Sequence, residues 1–284
     1  MTKQAPSSPL LDVSNLSVKT RDGVYLLHNL AFTLSQGECL AIVGESGSGK
    51  TLTARALLGL CAPSLQVEGQ AIFKGHNLLK IPYNHNKWSH LRGKEIAMVL
   101  QHGSNAFNPL FSIQNQVMET LKQHLKISVQ AQKELLAHSF SAVALPNHQE
   151  ILSRYPHELS GGTLQRIMIA LALMLKSEII IADEPCSSID WISKKEVLGF
   201  FAHALHEHGQ ALLIITHDFA EVQALADKVL VLQNGIAVEQ GSVQQVLNNP
   251  VHPYTRELIH ARAQLDMQFA AQLRKNTQSA KAGS

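Results

Sequence analysis

The stretch Cys39-Leu40-Ala41-Ile42-Val43-Gly44-Glu45-Ser46-Gly47-Ser48-Gly49-Lys50-Thr51 decides the fold of this chain. Its first five residues are apolar and predict a buried strand, and the rest fits the pattern G-x-x-x-x-G-K-[ST]. Residues Thr51 to Leu60 predict a helix that stops near Cys61-Ala62-Pro63. A glycine-rich loop between a strand and a helix is the context of a phosphate-binding loop, or P-loop. Lys50 is expected to reach the β- and γ-phosphates of a nucleotide, and the Thr51 hydroxyl to contact Mg²⁺.

Polar residues also follow three other apolar runs, each of which predicts a strand. The run Ile179 to Asp183 is followed directly by Glu184, so two acids, Asp183 and Glu184, stand at a strand end. An open α/β sheet binds its ligands at such strand ends. Asp183 is expected to hold Mg²⁺, and Glu184 to accept a hydrogen bond from an attacking water. Gln101 and His217 also follow apolar runs. Gln101 is a candidate contact for Mg²⁺ or the water, and His217 is expected to face the γ-phosphate.

A second phosphate-binding element lies far from the P-loop. Ser160, Gly161 and Gly162 precede a long apolar helix, so bare backbone N–H groups are expected at its N-terminus. Unpaired donors and the helix dipole favour an anion there. Two such elements in one small domain imply either two nucleotides or one nucleotide shared between two subunits.

The order of predicted elements favours an α/β fold with a mostly parallel sheet covered on both faces. Leu10 to Leu34 predicts short strands broken by a hairpin turn at Arg21-Asp22-Gly23. Met118 to Ser160 is helical and more polar, which indicates an inserted helical subdomain. Strands and helices alternate again from Ile179, and a hairpin is predicted to turn at Asn234-Gly235.

Composition narrows the possible classes. The 284 residues are 45% hydrophobic and 16% charged with a net charge of +2, which suits one domain with a full core and gives no argument for nucleic acid. Cys39, Cys61 and Cys186 are too far apart in sequence to indicate a disulfide framework or a zinc site. The longest apolar run, Ile167 to Leu175, is far shorter than the roughly 20 residues of a membrane helix. Any membrane connection is therefore expected through a partner.

The P-loop, Gln101, the segment Leu159-Ser160-Gly161-Gly162, the two acids, Asp190 and His217 occur in the order seen in ATP-binding-cassette (ABC) ATPases. The resemblance covers roughly Leu10 to Thr255. It implies a P-loop ATPase fold with an N-terminal antiparallel β-subdomain. It also implies a head-to-tail dimer in which the serine and two glycines of one subunit cap the γ-phosphate held by the other's Lys50. Asp190 would then lie on the loop that crosses the interface.

The resemblance assigns a role to each candidate site residue and a boundary to each part of the chain. The ATP-binding residues it implies are Gly44, Glu45, Ser46, Gly47, Ser48, Gly49, Lys50 and Thr51. The Mg²⁺ contacts are Thr51, Gln101 and Asp183, and the catalytic residues are Glu184, His217 and Gln101. The expected organisation is a flexible N-terminus (1–9), an ATPase domain (10–260) with a helical subdomain at about 103–175, and a tail (261–284).

Three segments are similar to the nickel and peptide importer branch of the family: Ala106 to Leu110, Leu164 to Arg166, and Asn249 to Thr255. The branch implies a second ATPase subunit (a paralogue or a second copy), two membrane permease subunits and an extracytoplasmic solute-binding protein. It also implies a location at the cytoplasmic face of the bacterial inner membrane. Lack of a cysteine-rich C-terminal extension favours nickel over oligopeptides. A peptide importer, an exporter half-subunit and a soluble ABC ATPase of DNA repair or translation are the alternatives.

The chain departs from the family pattern in places. Thr163 replaces the usual glutamine, and Cys186 and Ile189 stand where threonine and leucine are usual. No aromatic residue lies at Thr20 to Asp22, where the adenine-stacking side chain is expected. Tyr25 is the nearest candidate, with a surface tyrosine of a hairpin as the other interpretation. The histidines of a helix end (His203, His206, His208) are attributed to a polar helix end rather than to a metal site.

Overall fold

Two β-sheets organise the chain in a computed structural model, which describes residues 8–145 and 147–261. The strands of this described part are β1 (Leu11–Thr20), β2 (Tyr25–Leu34), β3 (Cys39–Val43), β4 (Leu65–Phe73), β5 (His76–Asn77), β6 (Ile96–Val99), β7 (Ile179–Asp183), β8 (Ala211–Ile215), β9 (Lys228–Gln233) and β10 (Ile236–Ser242). Its α-helices are α1 (Lys50–Leu57), α2 (Lys87–Leu91), α3 (Ile113–His124), α4 (Val129–Ala142), α5 (His148–Ser153), α6 (Gly161–Met174), α7 (Trp191–His208), α8 (Phe219–Leu225) and α9 (Val243–Asn248), and residues 253–261 are helical. The expectations of a flexible N-terminus and a tail fall mostly on residues 1–7 and 262–284, outside this part.

The larger sheet has the strand order β10-β9-β3-β8-β7-β6. Only β10 is antiparallel to its neighbour, so the expected mostly parallel sheet is confirmed. Every residue of β3, β7 and β8 is buried. Strands covered on both faces have apolar side chains throughout, which is why each of these segments is a continuous apolar run.

The smaller sheet is antiparallel, with the order β2-β1-β4-β5. The predicted hairpin joins β1 to β2, and Gly23 supplies a positive φ of 85° in its turn. β4, β5, α2 and α9 have no counterpart among the sequence predictions. In β4 the polar residues Gln66, Glu68 and Gln70 alternate with less exposed ones, and Gly69 interrupts the apolar pattern.

Several helix ends differ from the predicted ones for local reasons. α1 ends at Leu57 rather than Leu60, because Gly59 takes a left-handed conformation (φ 62°) that closes the last turn. α3 begins at Ile113, before the predicted Met118, because the Ser112 side chain accepts a hydrogen bond from Asn115 N and caps the helix.

Two hydrophobic cores lie on opposite faces of the larger sheet. Along β3, Ala41 and Val43 point into the core shared with α3 to α7, while Leu40 and Ile42 point into the core shared with α1 and the smaller sheet. The first core includes helices inserted in sequence between β6 and β7, with Phe140 of α4 fully buried. Within the described residues, no helix is both long and apolar enough to cross a membrane.

Replacing Phe140 with alanine is expected to lower the free energy of unfolding by about 3–5 kcal/mol, because it leaves a cavity in the core. Urea unfolding followed by circular dichroism measures the change. Phe111→Ala is the control, since Phe111 is 51% exposed and its loss should cost no more than about 0.5 kcal/mol. Equal losses for the two variants would contradict the placement of Phe140 in the core.

Candidate functional site

The predicted site residues meet at one edge of the larger sheet. β3, β6, β7 and β8 run parallel, so their carboxyl ends lie together. These ends lead into the P-loop, Gln101, Glu184 and the loop of His217. A cavity of about 380 Å³ lies beside them. Its lining includes Ser46, Gly47, Gly49, Lys50, Thr51, Gln101 and Glu184.

The P-loop needs its glycines at two positions. Gly44 (φ 154°) passes so close to β9 that a Cβ atom would lie 2.2 Å from the backbone oxygen of Leu232. Gly49 (φ 106°) precedes α1, and a Cβ there would lie 2.4 Å from a methyl carbon of Leu27. Only glycine satisfies both the conformation and the space. The loop therefore presents bare backbone to the cavity.

Lys50 supplies the positive charge of the cavity. Its side chain is buried, and Nζ donates hydrogen bonds to the backbone oxygens of Gly44 (2.9 Å) and Glu45 (2.7 Å). Burial lowers the pKa of Lys50, although Glu184 and Asp183 oppose the shift. An anion entering the cavity would offer this ammonium a stronger acceptor than the two carbonyl groups.

Thr51 and Asp183 face each other across the sheet edge. Thr51 Oγ1 donates to Asp183 Oδ1 at 3.2 Å, and Asp183 is almost fully buried. Burial raises the pKa of Asp183, the Thr51 hydrogen bond opposes that shift, and the charge of Glu184 adds to it. A buried carboxylate next to a hydroxyl offers the hard oxygen ligands that Mg²⁺ prefers. These two side chains therefore fit a Mg²⁺ ion that retains several water ligands.

Glu184 links two loops of the site. Its Oε2 accepts a hydrogen bond from Gln101 Nε2 at 3.0 Å, and its Oε1 lies 3.1 Å from His217 Nδ1. The backbone takes a left-handed φ of 45°, which is unusual for this residue type, and its N–H donates to Ile215 O at 2.7 Å. The carboxylate is thus held at the cavity, where it can accept a hydrogen bond from water.

Gln101 contacts Glu184 and lines the same cavity as Thr51. A residue absent from the predictions supports its strand end: Gln165 of α6 is fully buried and donates from Nε2 to Leu100 O at 2.9 Å. A glutamine in an apolar helix next to the two predicted glycines is the only sequence signal for this contact.

Ser160, Gly161 and Gly162 are not part of the lining of this cavity. Ser160 caps α6, where its Oγ accepts from Thr163 N at 3.1 Å and contacts the Thr163 hydroxyl at 2.9 Å. Open space surrounds the Cβ position of Gly161. The unusual Thr163 therefore supports the cap, and Gly161 is exposed at the start of the helix.

Asp190 caps the next helix. It stands before α7 and accepts a hydrogen bond from Ser193 N at 3.0 Å, and this contact lowers its pKa. Tyr25, the candidate for adenine stacking, lies edge-on to His28 with 4.7 Å between ring centroids. Its neighbour Leu26 lines the cavity, and Tyr25 is absent from that lining.

Tyr254 is a site residue that the sequence predictions lacked. Its buried hydroxyl accepts a hydrogen bond from the backbone N–H of Glu45 in the P-loop at 3.0 Å. The segment before it is held by Glu239, whose carboxylate accepts from Val251 N and His252 N. Burial raises the pKa of Tyr254, so the hydroxyl stays neutral. No spacing rule connects positions 45 and 254.

The histidines of α7 do not assemble a metal centre. His203 and His208 approach each other with ring centroids 5.1 Å apart. Across residues 8–145 and 147–261, no group of three or more His, Cys, Asp or Glu side chains is arranged to hold a metal ion. The pair Thr51 and Asp183, which fits Mg²⁺, contains only one carboxylate and is therefore not a group of that kind.

Comparison with known proteins gives consistent results. Residues 27–187 match the family model described as ABC transporter. The metal-staphylopine import system ATP-binding protein CntD of Staphylococcus aureus is 39% identical over 92% of this chain and 96% of its own. The oligopeptide transport ATP-binding protein OppD of Haemophilus influenzae is also 39% identical, over 91% of this chain and 80% of its own.

Solved structures share the fold. The dimeric ATP-binding cassette MJ0796, in a post-hydrolysis state with ADP and phosphate, has a TM-score of 0.72 and 22% identity. The match covers 82% of this chain and 98% of that one. The predicted P-loop ATPase fold of ABC type is therefore confirmed.

Tyr254→Phe is expected to weaken ATP binding about two- to tenfold, because the loss of one hydrogen bond is worth about 0.5–1.5 kcal/mol. Calorimetric titration of the purified chain with ATP measures the effect. Tyr83→Phe is the matched control, since Tyr83 is 66% exposed. Unchanged affinity in Tyr254→Phe would show that the Glu45 contact does not support the P-loop.

Asp183→Asn is expected to raise the melting temperature of the nucleotide-free chain at pH 7 while abolishing Mg²⁺-dependent ATP turnover. The folded-state pKa of Asp183 is raised, so the folded chain binds this proton more tightly than the unfolded chain does. Wild-type stability therefore falls as the pH rises from the unfolded pKa through the folded pKa, and the variant lacks that loss.

Calorimetric melting of wild type and Asp183→Asn from pH 4 to pH 8 tests whether the stability of the wild type falls with rising pH relative to the variant. The difference in melting temperature should grow with pH and then level off. Asp22→Asn is the control, because Asp22 lies exposed in the β1–β2 turn. A variant less stable than wild type at pH 7 would contradict the assigned cost of burying the charge.

Proposed function

The chain belongs to the ABC transporter family, and we propose that it is the ATP-hydrolysing subunit of an importer whose cargo is nickel or a related metal ion. The observation that supports hydrolysis best is the contact chain at the sheet edge. Glu184 holds both Gln101 and His217 there, next to Lys50 and the Thr51–Asp183 pair. The importer relatives support the direction of transport.

In this proposal the P-loop amides and Lys50 bind the phosphates of ATP, and Thr51 and Asp183 hold Mg²⁺. The ion supplies charge neutralisation to the phosphate oxygens when it is bound. Glu184 accepts a proton from the attacking water, and Gln101 and His217 keep its two oxygens oriented. Such catalysis consists mainly of positioning and charge stabilisation.

The site is completed by a second ATPase subunit. Ser160, Gly161 and Gly162 are absent from the lining of this chain's own cavity, and in the proposed dimer their helix N-terminus caps the γ-phosphate bound by a partner. Asp190 lies on the loop that approaches the same partner. The dimeric state of the MJ0796 structure supports this arrangement. The partner is a paralogue or a second copy.

The remaining partners are two membrane permease subunits and an extracytoplasmic solute-binding protein, which place the chain at the cytoplasmic face of the inner membrane. The loop after Gln101 carries Leu110 (79% exposed) and Phe111 (51% exposed). Apolar side chains this exposed on one loop suit contact with a permease. Movement of that loop would reach the site through Gln101.

The cargo is the least constrained part of the proposal. CntD is named for import of a metal complex, which favours a metal ion. OppD is named for oligopeptide transport at the same identity, so a peptide is the second candidate. Both cargoes are consistent with the same ATPase chemistry.

Glu184→Gln is expected to reduce ATP turnover by a factor of about 10²–10⁴, because it removes the general base. ATP-driven dimerisation should survive, since glutamine keeps the shape of the side chain and one of its two acceptor oxygens. Phosphate release measures turnover, and light scattering with ATP and Mg²⁺ measures dimerisation. Glu207→Gln on the exposed side of α7 is the control. Near-normal hydrolysis in Glu184→Gln would refute the role of this residue as base.

Uptake of radiolabelled nickel and of a radiolabelled dipeptide in cells with and without this chain tests the cargo. We expect nickel uptake to be lost without the chain, and to stay lost when only Glu184→Gln is supplied. Loss of dipeptide uptake alone would overturn the nickel assignment and leave the ATPase assignment intact.

A further inference from the structure

Lys194 is a nearly buried lysine on the first turn of α7. Its Nζ forms ion pairs with Asp218 and with Glu221 Oε1, the second at 2.8 Å. The lysine side chain is 13% exposed and the Glu221 side chain 3%. Ion pairs at such depth are screened much less by solvent than pairs on the surface. Burial lowers the pKa of Lys194, but the hydrogen bonds to Asp218 and Glu221 outweigh that effect and raise it.

The two acids belong to the segment that carries His217. Asp218 follows the histidine directly and caps α8, where its Oδ1 accepts a hydrogen bond from Ala220 N at 2.8 Å. Its own N–H donates to Thr216 Oγ1 at 3.0 Å. A displacement of Asp218 must therefore move the backbone of His217, whose ring contacts Glu184.

The same helical turn also contacts Asp190 and α6. Asp190 caps the turn through Ser193 N and also accepts from Lys194 N at 2.8 Å through its backbone oxygen. Arg166 of α6 donates to Ser193 Oγ at 3.2 Å. The first turn of α7 is thus connected to α6, which Ser160 caps, as well as to the loop of Asp190.

We infer that Lys194 is a positioning residue for His217, which ties the loop around Asp190 to the loop of the histidine. The inference rests on the proposed function, in which Asp190 meets a second subunit and His217 orients Glu184. A shift of Asp190 on contact with the partner passes along the first turn of α7 to Lys194, and from there to Asp218 and His217.

A double-mutant cycle on the purified full chain tests this inference. Lys194→Gln is expected to lower kcat about tenfold, equivalent to about 1.4 kcal/mol of barrier, while KM for ATP changes less than about twofold. In the His217→Ala background the same substitution should lower kcat less than about twofold, because the residue it positions is already absent. Release of radiolabelled phosphate from labelled ATP is sensitive enough to measure the turnover of the slow variants.

Lys195→Gln is the matched control, since Lys195 is the exposed neighbour on the same helix, and should leave kcat and KM unchanged. Lys194→Arg keeps the cation and should restore most of the activity. If Lys194→Gln fails to fold, the Lys194→Gln/Glu221→Gln pair removes one charge of each sign and enters the same cycle. The kcat of this double variant should be about tenfold lower than that of the wild type when His217 is present. In the His217→Ala background the same pair of substitutions should lower kcat less than about twofold.

The same fold loss of kcat with and without His217 would show a merely structural role and overturn the inference. An unchanged kcat in Lys194→Gln would overturn it as well. Neither result would affect the proposed function, which fails separately if Glu184→Gln retains turnover.

Discussion

Parallel hydrogen bonding joins β6, β7, β8 and β3, so their carboxyl ends must lie along one edge of the sheet. The P-loop, Gln101, Glu184 and His217 meet because of that constraint. Asp183 ends β7, Glu184 follows it, and the P-loop leaves β3 two strands away. The burial of both sheet faces then keeps these strands rigid, because each strand contributes alternate residues to two separate cores.

Burial of charge gives the site its electrostatic character. Burial shifts the pKa values of Lys50 and Asp183 toward the neutral form, and the opposite charges nearby offset this only in part. A nucleotide phosphate and a cation would supply the missing counter-charges. Burying these charges without counter-charges lowers the stability of the nucleotide-free chain. Binding of the nucleotide and the cation should therefore raise the stability of the chain.

The parts that are easiest to predict are those where chemistry is local in sequence. The P-loop pattern joins a strand, a turn and a helix within adjacent residues, so Gly44 and Lys50 could be placed without tertiary information. Asp183 at the end of β7 and Glu184 directly after it follow from the same logic. β4 is not predicted because Gly69 takes the place of an apolar residue in its alternation, and α9 is not predicted because its six residues are too short for a helical pattern.

Contacts between distant segments were beyond this kind of prediction. Tyr254 reaches Glu45 across 209 positions, and Lys194 reaches Asp218 only because α7 packs on α8. Neither partner is implied by residue type or spacing. Tyr254 lies in a segment that is similar to the importer branch, and Lys194 lies in the region after Ile179 where strands and helices are predicted to alternate.

The sequence by itself determined the α/β class, the P-loop and the order of the strand-end residues, because apolar periodicity and glycine conformations act over short ranges. Only the tertiary structure decided which side chains touch. It joined Gln101 to Glu184, made Ser160 the cap of α6, and brought the Tyr254 hydroxyl to the backbone of Glu45 in the P-loop. Such contacts depend on how elements pack in space, and packing depends on all the residues of both cores at once.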